Sequence, residues 1–272
     1  MGLFDNIDNL ENLEGLANVE NIVVEEIKDW ICKYYSLFSS RSDIDRDSLN
    51  IDTSTCPYIV NCDGAVILDA IKLTKDSGFE RELTDGRFVW GEVKGFICSG
   101  TPIKSLKGAP KKVNGEFGCA YCSDLTSLEG APEEVGGNFT CTTCKSLATL
   151  KGAPKEVGGD FNCAYCHSLT SLEGAPEKVG RSFACDYCKN LTSLKGAPKV
   201  INVDFICNNC PSLETLDGAP EKVGNLLACE CLKLKYISCG PEEVYYVLMV
   251  AGSYNVKDLD EAIVKYENQL YY

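Results

Sequence analysis

Five Cys-x-x-Cys pairs, Cys119/Cys122, Cys141/Cys144, Cys163/Cys166, Cys185/Cys188 and Cys207/Cys210, are the residues whose type and spacing first suggest chemistry. In an unrepeated protein, two such pairs are a strong zinc signal, because thiolates at that spacing fit a tetrahedral ion. Here the pairs recur at a fixed interval, and both cysteines fall on the inward positions of a repeat, where a small apolar side chain fills the space beside a bulky phenylalanine. Free cysteine behaves as such a residue, so the pairs read first as packing material. Stacked turns lie about 4.8 Å apart, close enough for adjacent pairs to bring four sulfurs together, and a thiol-rich zinc-binding protein therefore stands as one alternative. Against it is the cost of burying a net negative cluster without donors to offset the desolvation. A thioredoxin-like redox site needs a single exposed pair with a lowered pKa at a helix start. His167 is the only histidine, and other copies carry Ser123, Lys145, Lys189 and Pro211 at its position. With no second histidine and no phosphate-cradling glycine loop, the chain reads as non-enzymatic, with no cofactor and no metal.

The elements that position these cysteines come from a repeat. Gly-Ala-Pro recurs at Gly108, Gly130, Gly152, Gly174, Gly196 and Gly218, a constant step of 22 residues, with a worn copy at Cys239-Gly-Pro241. A fixed period of this length marks a solenoid. Within one unit, Phe161, Cys163, Cys166, Leu169 and Leu172 are the apolar positions, and Asp160, Asn162 and Ala164 alternate with the first two. Period-two alternation predicts a short strand with one buried face. The spacing then relaxes to three, as in a tight arc. Gly174-Ala-Pro176 predicts an extended or polyproline-like return rather than a second wide sheet. Gly158-Gly159 predicts a bend into the next strand. One unit cannot bury its face alone, so stacking must supply the stability and both ends need covering.

This pattern resembles the leucine-rich repeat family, whose Leu-x-Leu-x-x-Asn/Cys-x-x-Leu core is written here as Phe161-x-Cys163-x-x-Cys166-x-x-Leu169. The short period and the following proline look most like the repeats of bacterial effectors and phage proteins. The resemblance runs from about Leu83 to Pro241. It implies a solenoid of short parallel strands that binds partners, and a phage-encoded protein acting on a host factor as a special case. The departure is cysteine where leucine and asparagine are usual, so the asparagine ladder that ties turns together in that family is missing.

Either side of the array the patterns change. Residues 1–18 read as a short acidic amphipathic helix or an arm. Val23 to Phe38 follows a spacing of three and four, which predicts an amphipathic helix, and a polar linker runs from Ser39 to Asn50. Tyr58–Cys62 and Ala65–Leu68, split by Asp63-Gly64, predict a hairpin. Ile71–Leu73 and Arg87–Trp90 read as strands leading into the first turn at 91–98, with Trp30 and Trp90 as packing residues. At the far end, Cys229-Glu-Cys231 reads as a cysteine step that has lost one residue. Glu242–Val250 and Asp258–Tyr266 read as helices, the second opened by a capping box from Asp258 and Glu261. The expected architecture is α+β. It has an N-terminal α/β cap over 1–90, a leucine-rich-repeat-like solenoid over 91–241, and a helical C-terminal cap over 242–272.

The formal charge of −14 opposes nucleic acid and anionic membrane surfaces as partners. No apolar run is long enough to span a bilayer. The opening residues do not follow the pattern of a secretory signal, and Asn6 sits where N-myristoylation at Gly2 wants Ser or Thr. Seventeen cysteines then point to a reducing, cytoplasmic setting with free thiols. What is left for function is the outward face. One column is Tyr121, Thr143, Tyr165, Tyr187 and Asn209; a second is Glu116, Asn138, Asp160, Ser182 and Asp204; Asn162 belongs to a third. Tyrosine is frequent in hot spots, and carboxylates beside it select a basic partner. The expected function is a protein–protein interaction module binding a basic protein surface through Tyr121, Tyr165, Tyr187, Asp160, Asp204, Asn162 and Glu116. A self-assembling component, a homo-oligomer joined through its ends, is the other alternative.

Overall fold

The computed structural model describes residues 13–37, 44, 46–54, 58–61, 65–68 and 88–272. From residue 92 onward the chain winds into a parallel β-solenoid of about 8 turns. Each turn contributes two strand segments to one bent sheet. The first segments are Glu92–Val93, Lys112–Val113, Glu134–Val135, Glu156–Val157 and Lys178–Val179; the second are Gly95–Ile97, Phe117–Gly118, Phe139–Thr140, Phe161–Asn162 and Phe183–Ala184. Like residue pairs with like residue in the next turn, as in Val135↔Val157 and Phe139↔Phe161. The segment before the bend is therefore a strand in its own right, whereas the sequence pattern placed only the phenylalanine segment in the sheet.

The bend passes through Asn114-Gly115, Gly136-Gly137, Gly158-Gly159 and Gly180-Arg181. A Cβ on Gly158 would collide with the Gly136 carbonyl oxygen of the previous turn. From Asn202-Val203 onward the two segments fuse into one strand, Val200–Ile206, followed by Lys222–Leu227 and Glu243–Met249. The return side carries Gly-Ala-Pro. Gly152 sits at φ 90°, and a Cβ there would lie 2.5 Å from Glu129 Cα, so only glycine fits. The adjoining prolines are buried, and isolated bonds such as Leu172 N–H to Lys195 O (3.0 Å) replace a continuous ladder.

Six residues per turn, such as Val157, Phe161, Cys163, Cys166, Leu169 and Leu172, point inward and are buried. Phe96, Phe117, Phe139, Phe161, Phe183 and Phe205 form one continuous stack, with ring centroids 5.0 to 5.9 Å apart. Identical residues stacked in register are the least-strained way to fill a core that repeats. Outside, charge alternates from turn to turn in two columns. Lys107, Glu129, Lys151, Glu173, Lys195 and Asp217 form one column, and Lys111, Glu133, Lys155, Glu177, Lys199 and Glu221 another. Ion pairs Lys151–Glu129 and Lys195–Glu173 (3.0 Å each) and Lys199–Glu221 (2.8 Å) tie neighbouring turns.

The N-terminal elements differ from the expectation in extent and pairing. Helix α1 spans Leu13–Tyr34, so it starts ahead of Val23 and takes in part of the acidic opening. It stops before Phe38 because Tyr35–Leu37 pairs antiparallel with Ala65–Leu68. Tyr58–Asn61 and Ala65–Leu68 do not form a hairpin. The first lies between Asn50–Asp52 and Phe88–Trp90 in a separate three-stranded sheet. The second joins the main sheet beside Gly95–Ile97, placing Val66 against Phe96 as a first rung of the core. Burial of that rung outweighs a local turn. The Asp63-Gly64 turn, Ile71–Leu73 and residues 1–12 lie outside the described residues. Trp30, Tyr35, Phe88, Trp90 and Phe96 interlock at centroid distances of 5.2 to 6.0 Å, so both tryptophans pack as expected.

At the C-terminal end, Glu242–Val250 is not helical. Glu243–Met249 is a solenoid strand with Val244 and Leu248 in the inward register. The sequence run Val-Tyr-Tyr-Val-Leu-Met is as consistent with a strand as with a helix, and the waiting edge of the previous turn decides it. The worn Gly-Pro is also out of register. Gly240 N–H bonds Ile237 O as Ala219 N–H bonds Leu216 O, so Cys239 holds the glycine position and the step there is one residue short. The missing residue lies in the bend, at Gly224, and not in the cysteine step: Ala228 takes the site of Cys207, and Cys229 that of Asn208.

The expected second helix is α2, Leu259–Tyr266, but Asp258 makes no capping bond to it. Its carboxylate instead accepts Ile237 N–H (3.0 Å) and Ser238 N–H (2.8 Å). Burial alone would raise its pKa; those bonds outweigh burial and hold it below the usual carboxylate value. Lys265 Nζ donates to the carbonyls of Ser238 and Gly240, and Tyr266 OH to those of Ile237 and Pro241. These groups replace the bonds that a further turn would have made.

Candidate functional site

The paired sulfurs lie inside the coil, and Cys98, Cys119, Cys122, Cys141, Cys144, Cys163, Cys166, Cys185, Cys188, Cys207, Cys210 and Cys231 are all buried as free thiols. They are more than filler. In every turn the second cysteine donates its S–H to the carbonyl of the first cysteine one turn back: Cys144 to Cys119 (3.1 Å), Cys166 to Cys141 (3.2 Å), Cys188 to Cys163 (3.5 Å), Cys210 to Cys185 (3.4 Å) and Cys231 to Cys207 (3.2 Å). Burial pushes the thiols of Cys163, Cys185 and Cys207 well above their ordinary range, that of Cys210 up to about 12 and that of Cys231 up to about 11. Of the ladder donors, Cys210 and Cys231 are therefore held neutral rather than as thiolate nucleophiles, whereas hydrogen bonds with Cys144 and Cys98 draw the thiol of Cys122 down to about 3. Among the described residues, no group of three or more His, Cys, Asp or Glu side chains is arranged to hold a metal ion.

Between the two cysteines the chain turns, and the residue before the second cysteine adopts a left-handed backbone. Tyr121 has φ 60°, Thr143 61°, Tyr165 61°, Tyr187 58°, Asn209 53° and Glu230 57°. The tyrosine column thus lies on a turn at the edge of the sheet and not on the strand face. Its side chains stand out from the surface, Tyr121 at 64%, Tyr165 at 42% and Tyr187 at 38% exposure. The rings of Tyr165 and Tyr187 stack at 4.5 Å and 3°. Thr143 interrupts the series between Tyr121 and Tyr165. His167, which the sequence pattern left as an unassigned surface residue, sits with Nδ1 3.1 Å from the Tyr187 carbonyl and braces that turn. Asp186, also missed, lies half-buried beside the stacked pair, and burial raises its pKa from the ordinary carboxylate value. Partial desolvation, followed by the neighbouring Tyr187 and Asp186, raises the phenol of Tyr165. Cys185-Asp186-Tyr187 was legible as a charged variant of a small-residue column, but nothing in the pattern marked it.

The acidic column has a different role. Asn138 Oδ1 accepts the N–H of Asp160 (2.8 Å), Asp160 Oδ1 that of Ser182 (3.0 Å), and Ser182 Oγ that of Asp204 (3.4 Å). Asn225 Nδ2 then donates to Asp204 Oδ1 (2.8 Å). Asp160 and Asp204 are thus partly committed to tying turns at the bend. Glu116 is exposed at the start of the column, and Asn162 accepts Ala164 N–H (3.0 Å) within its own turn. Asp160 lies at the bend before the strand Phe161–Asn162 and Tyr165 on the left-handed turn after it, so the acids and the tyrosines form two separate lines. A shallow groove of about 670 Å³ runs along the bend over Val135, Gly136, Val157 and Gly158. Its rim charges pair among themselves, Lys112 with Glu134 and Lys178 with Glu156.

Fold and surface together define a parallel β-solenoid with a cysteine-laddered core and an exposed tyrosine ridge. Compared with family models, with curated proteins and with solved structures, the chain matches none. Among the described residues, no helix is long and apolar enough to cross a membrane.

Proposed function

We propose that this chain is a non-enzymatic, leucine-rich-repeat-like interaction module of the cytosol that holds a protein partner through Tyr121, Tyr165 and Tyr187. A phage product acting on a host factor is a special case of it. The observation that carries the reading is the conformation of those residues. An L-residue in the left-handed region costs about 1–2 kcal/mol, and asparagine or glycine suits it best. Asn209 takes that solution two turns beyond Tyr165. Stacking returns about 0.5–1.5 kcal/mol to Tyr165 and Tyr187, but Tyr121 has Thr143 in the next turn and gains nothing of the kind. Large exposed rings kept at strained positions are accounted for by what their side chains contact outside the chain. The partner presents arginine or lysine, because the rings offer faces to a cation, Asp186 stands next to them, and the chain carries a formal charge of −14.

The test replaces all three residues with asparagine, Tyr121→Asn, Tyr165→Asn and Tyr187→Asn, in the full chain. The thermal midpoint is expected to hold or rise while capture of the partner from host lysate is lost. Capture that survives in the folded variant moves the site elsewhere.

A further inference from the structure

The tyrosine column has a gap one ring thick. Tyr121, Thr143, Tyr165 and Tyr187 hold the same position in four successive turns, with φ between 58° and 61°. Their N–H groups bond the next turn in one register, Tyr121 to Thr142 O (2.8 Å), and Thr143 to Ala164 O, Tyr165 to Asp186 O and Tyr187 to Asn208 O (2.9 Å each). Like backbones set the four Cα–Cβ bonds in one direction, so the side chains rise from the surface as a row. Where two rings are neighbours, at Tyr165 and Tyr187, they stack at 4.5 Å and 3°. Tyr121 and Tyr165 are two turns apart, about 9–10 Å at the spacing of stacked strands. Only Thr143 stands between them in the column, and its short side chain leaves the outer part of that interval without a ring.

The base of the gap is polar. Thr142 and Thr143 are half-buried, and among the described residues neither hydroxyl has a hydrogen-bond partner. The turns on either side carry Ala120-Tyr121 and Ala164-Tyr165 at these two positions, so the paired hydroxyls belong to the gap alone. Asp124 and Lys145, exposed in the turns of Tyr121 and Thr143, offset each other in formal charge. Asp186 lies half-buried one turn beyond Tyr165.

We propose that this gap receives the guanidinium of an arginine of the partner, held flat between the rings of Tyr121 and Tyr165 with N–H groups toward Thr143. The inference rests on the ridge being the partner-binding surface. Midway, the guanidinium plane lies about 5 Å from each ring, inside the roughly 6 Å reach of a cation–π contact on both faces. It continues the spacing that Tyr165 and Tyr187 set, and it gives Tyr121 the stacking partner its own chain lacks. A guanidinium is flat, weakly hydrated and rich in donors, whereas an ammonium is a compact, strongly hydrated charge with no face to stack. The gap therefore selects arginine over lysine.

The test follows the tyrosine rings of the isotope-labelled full chain by NMR at fixed ionic strength, as the amide of Nα-acetylarginine or of Nα-acetyllysine is added. The resonances of Tyr121 and Tyr165 are expected to shift and saturate, with the arginine amide bound about fivefold more tightly. Thr143→Tyr fills the gap with a fourth ring, at a position that already holds tyrosine in three turns; it is expected to stay folded by circular dichroism and to lose those shifts. Shifts that are absent, equal for the two amides, or unchanged in folded Thr143→Tyr overturn the proposal. Partner capture that survives Thr143→Tyr but is lost in the triple asparagine variant keeps the ridge and overturns the gap, and capture indifferent to both overturns both.

Discussion

Replacing Cys166 and Cys163 separately by alanine tests the thiol ladder. Both sulfurs are fully buried, and losing either removes a similar apolar volume, about 1 kcal/mol. Of the two, Cys166 donates to a carbonyl with no other donor among the described residues, that of Cys141 at 3.2 Å. Its removal strands a buried acceptor, which adds about 1–3 kcal/mol, at the low end because S–H is a weak donor. Cys163 has a 3.4 Å contact with Ala184 O, an acceptor already taken by the Cys163 N–H at 2.8 Å. The chain itself contains the control: Ala228 occupies the first-cysteine site without consequence for the turn, whereas every second site keeps a hydrogen donor, from Thr101 to Cys231. Cys166→Ala is therefore expected to cost about 2–3 kcal/mol and Cys163→Ala about 1 kcal/mol. Thermal and urea unfolding of the two variants side by side measures the difference. Equal losses, or a larger loss for Cys163→Ala, would show that the sulfurs merely fill space.

Two further outcomes follow from the turns. Gly152→Ala puts a Cβ 2.5 Å from Glu129 Cα in a residue held at φ 90°; it is expected to cost roughly 2–4 kcal/mol, read as a lowered thermal midpoint, and a near-neutral effect would mean that the return side is loosely stacked. Asp186 has its pKa raised by burial, so the folded chain binds its proton more tightly than the unfolded chain. Stability then falls as pH rises from the ordinary carboxylate value through the raised one, and remains lower above it. Asp186→Asn is expected to be stabilising at neutral pH, with the advantage vanishing by about pH 3; a constant difference across that range refutes the assignment.

The array was readable because its period repeats one inward pattern: Phe161, Cys163, Cys166, Leu169 and Leu172 all occupy the buried positions their spacing implies. What escaped was set by contacts between turns. Glu156–Val157 is too short to alternate, so it became a strand only through Val135 and Val179 on either side. Asp63-Gly64 carried a local hairpin signal, yet Ala65–Leu68 is claimed by Gly95–Ile97. Val244 and Leu248 fit a helical spacing and a strand equally, and the exposed edge of Lys222–Leu227 chose the strand. Of the surface residues singled out, the tyrosines do stand exposed in a line, but φ near 60° is invisible in a sequence that puts Tyr where Asn would be natural. Asp160 and Asp204 looked free because their bonds run to main-chain and side-chain groups about one turn away. The thiol ladder takes the place of the asparagine ladder whose absence the repeat pattern had marked.

The alternating signs along the outer columns bear on how such a chain avoids mis-threading while it folds. Turns with nearly the same phenylalanine, cysteine and leucine cannot tell their neighbours apart by shape, and looping one out would leave the core continuous. It would also set Lys107 against Lys151 and Glu129 against Glu173 in the column where opposite signs now meet. Excising two turns restores the match. Those two columns thus mark an order that the interior is blind to, with a frame twice as long as the repeat.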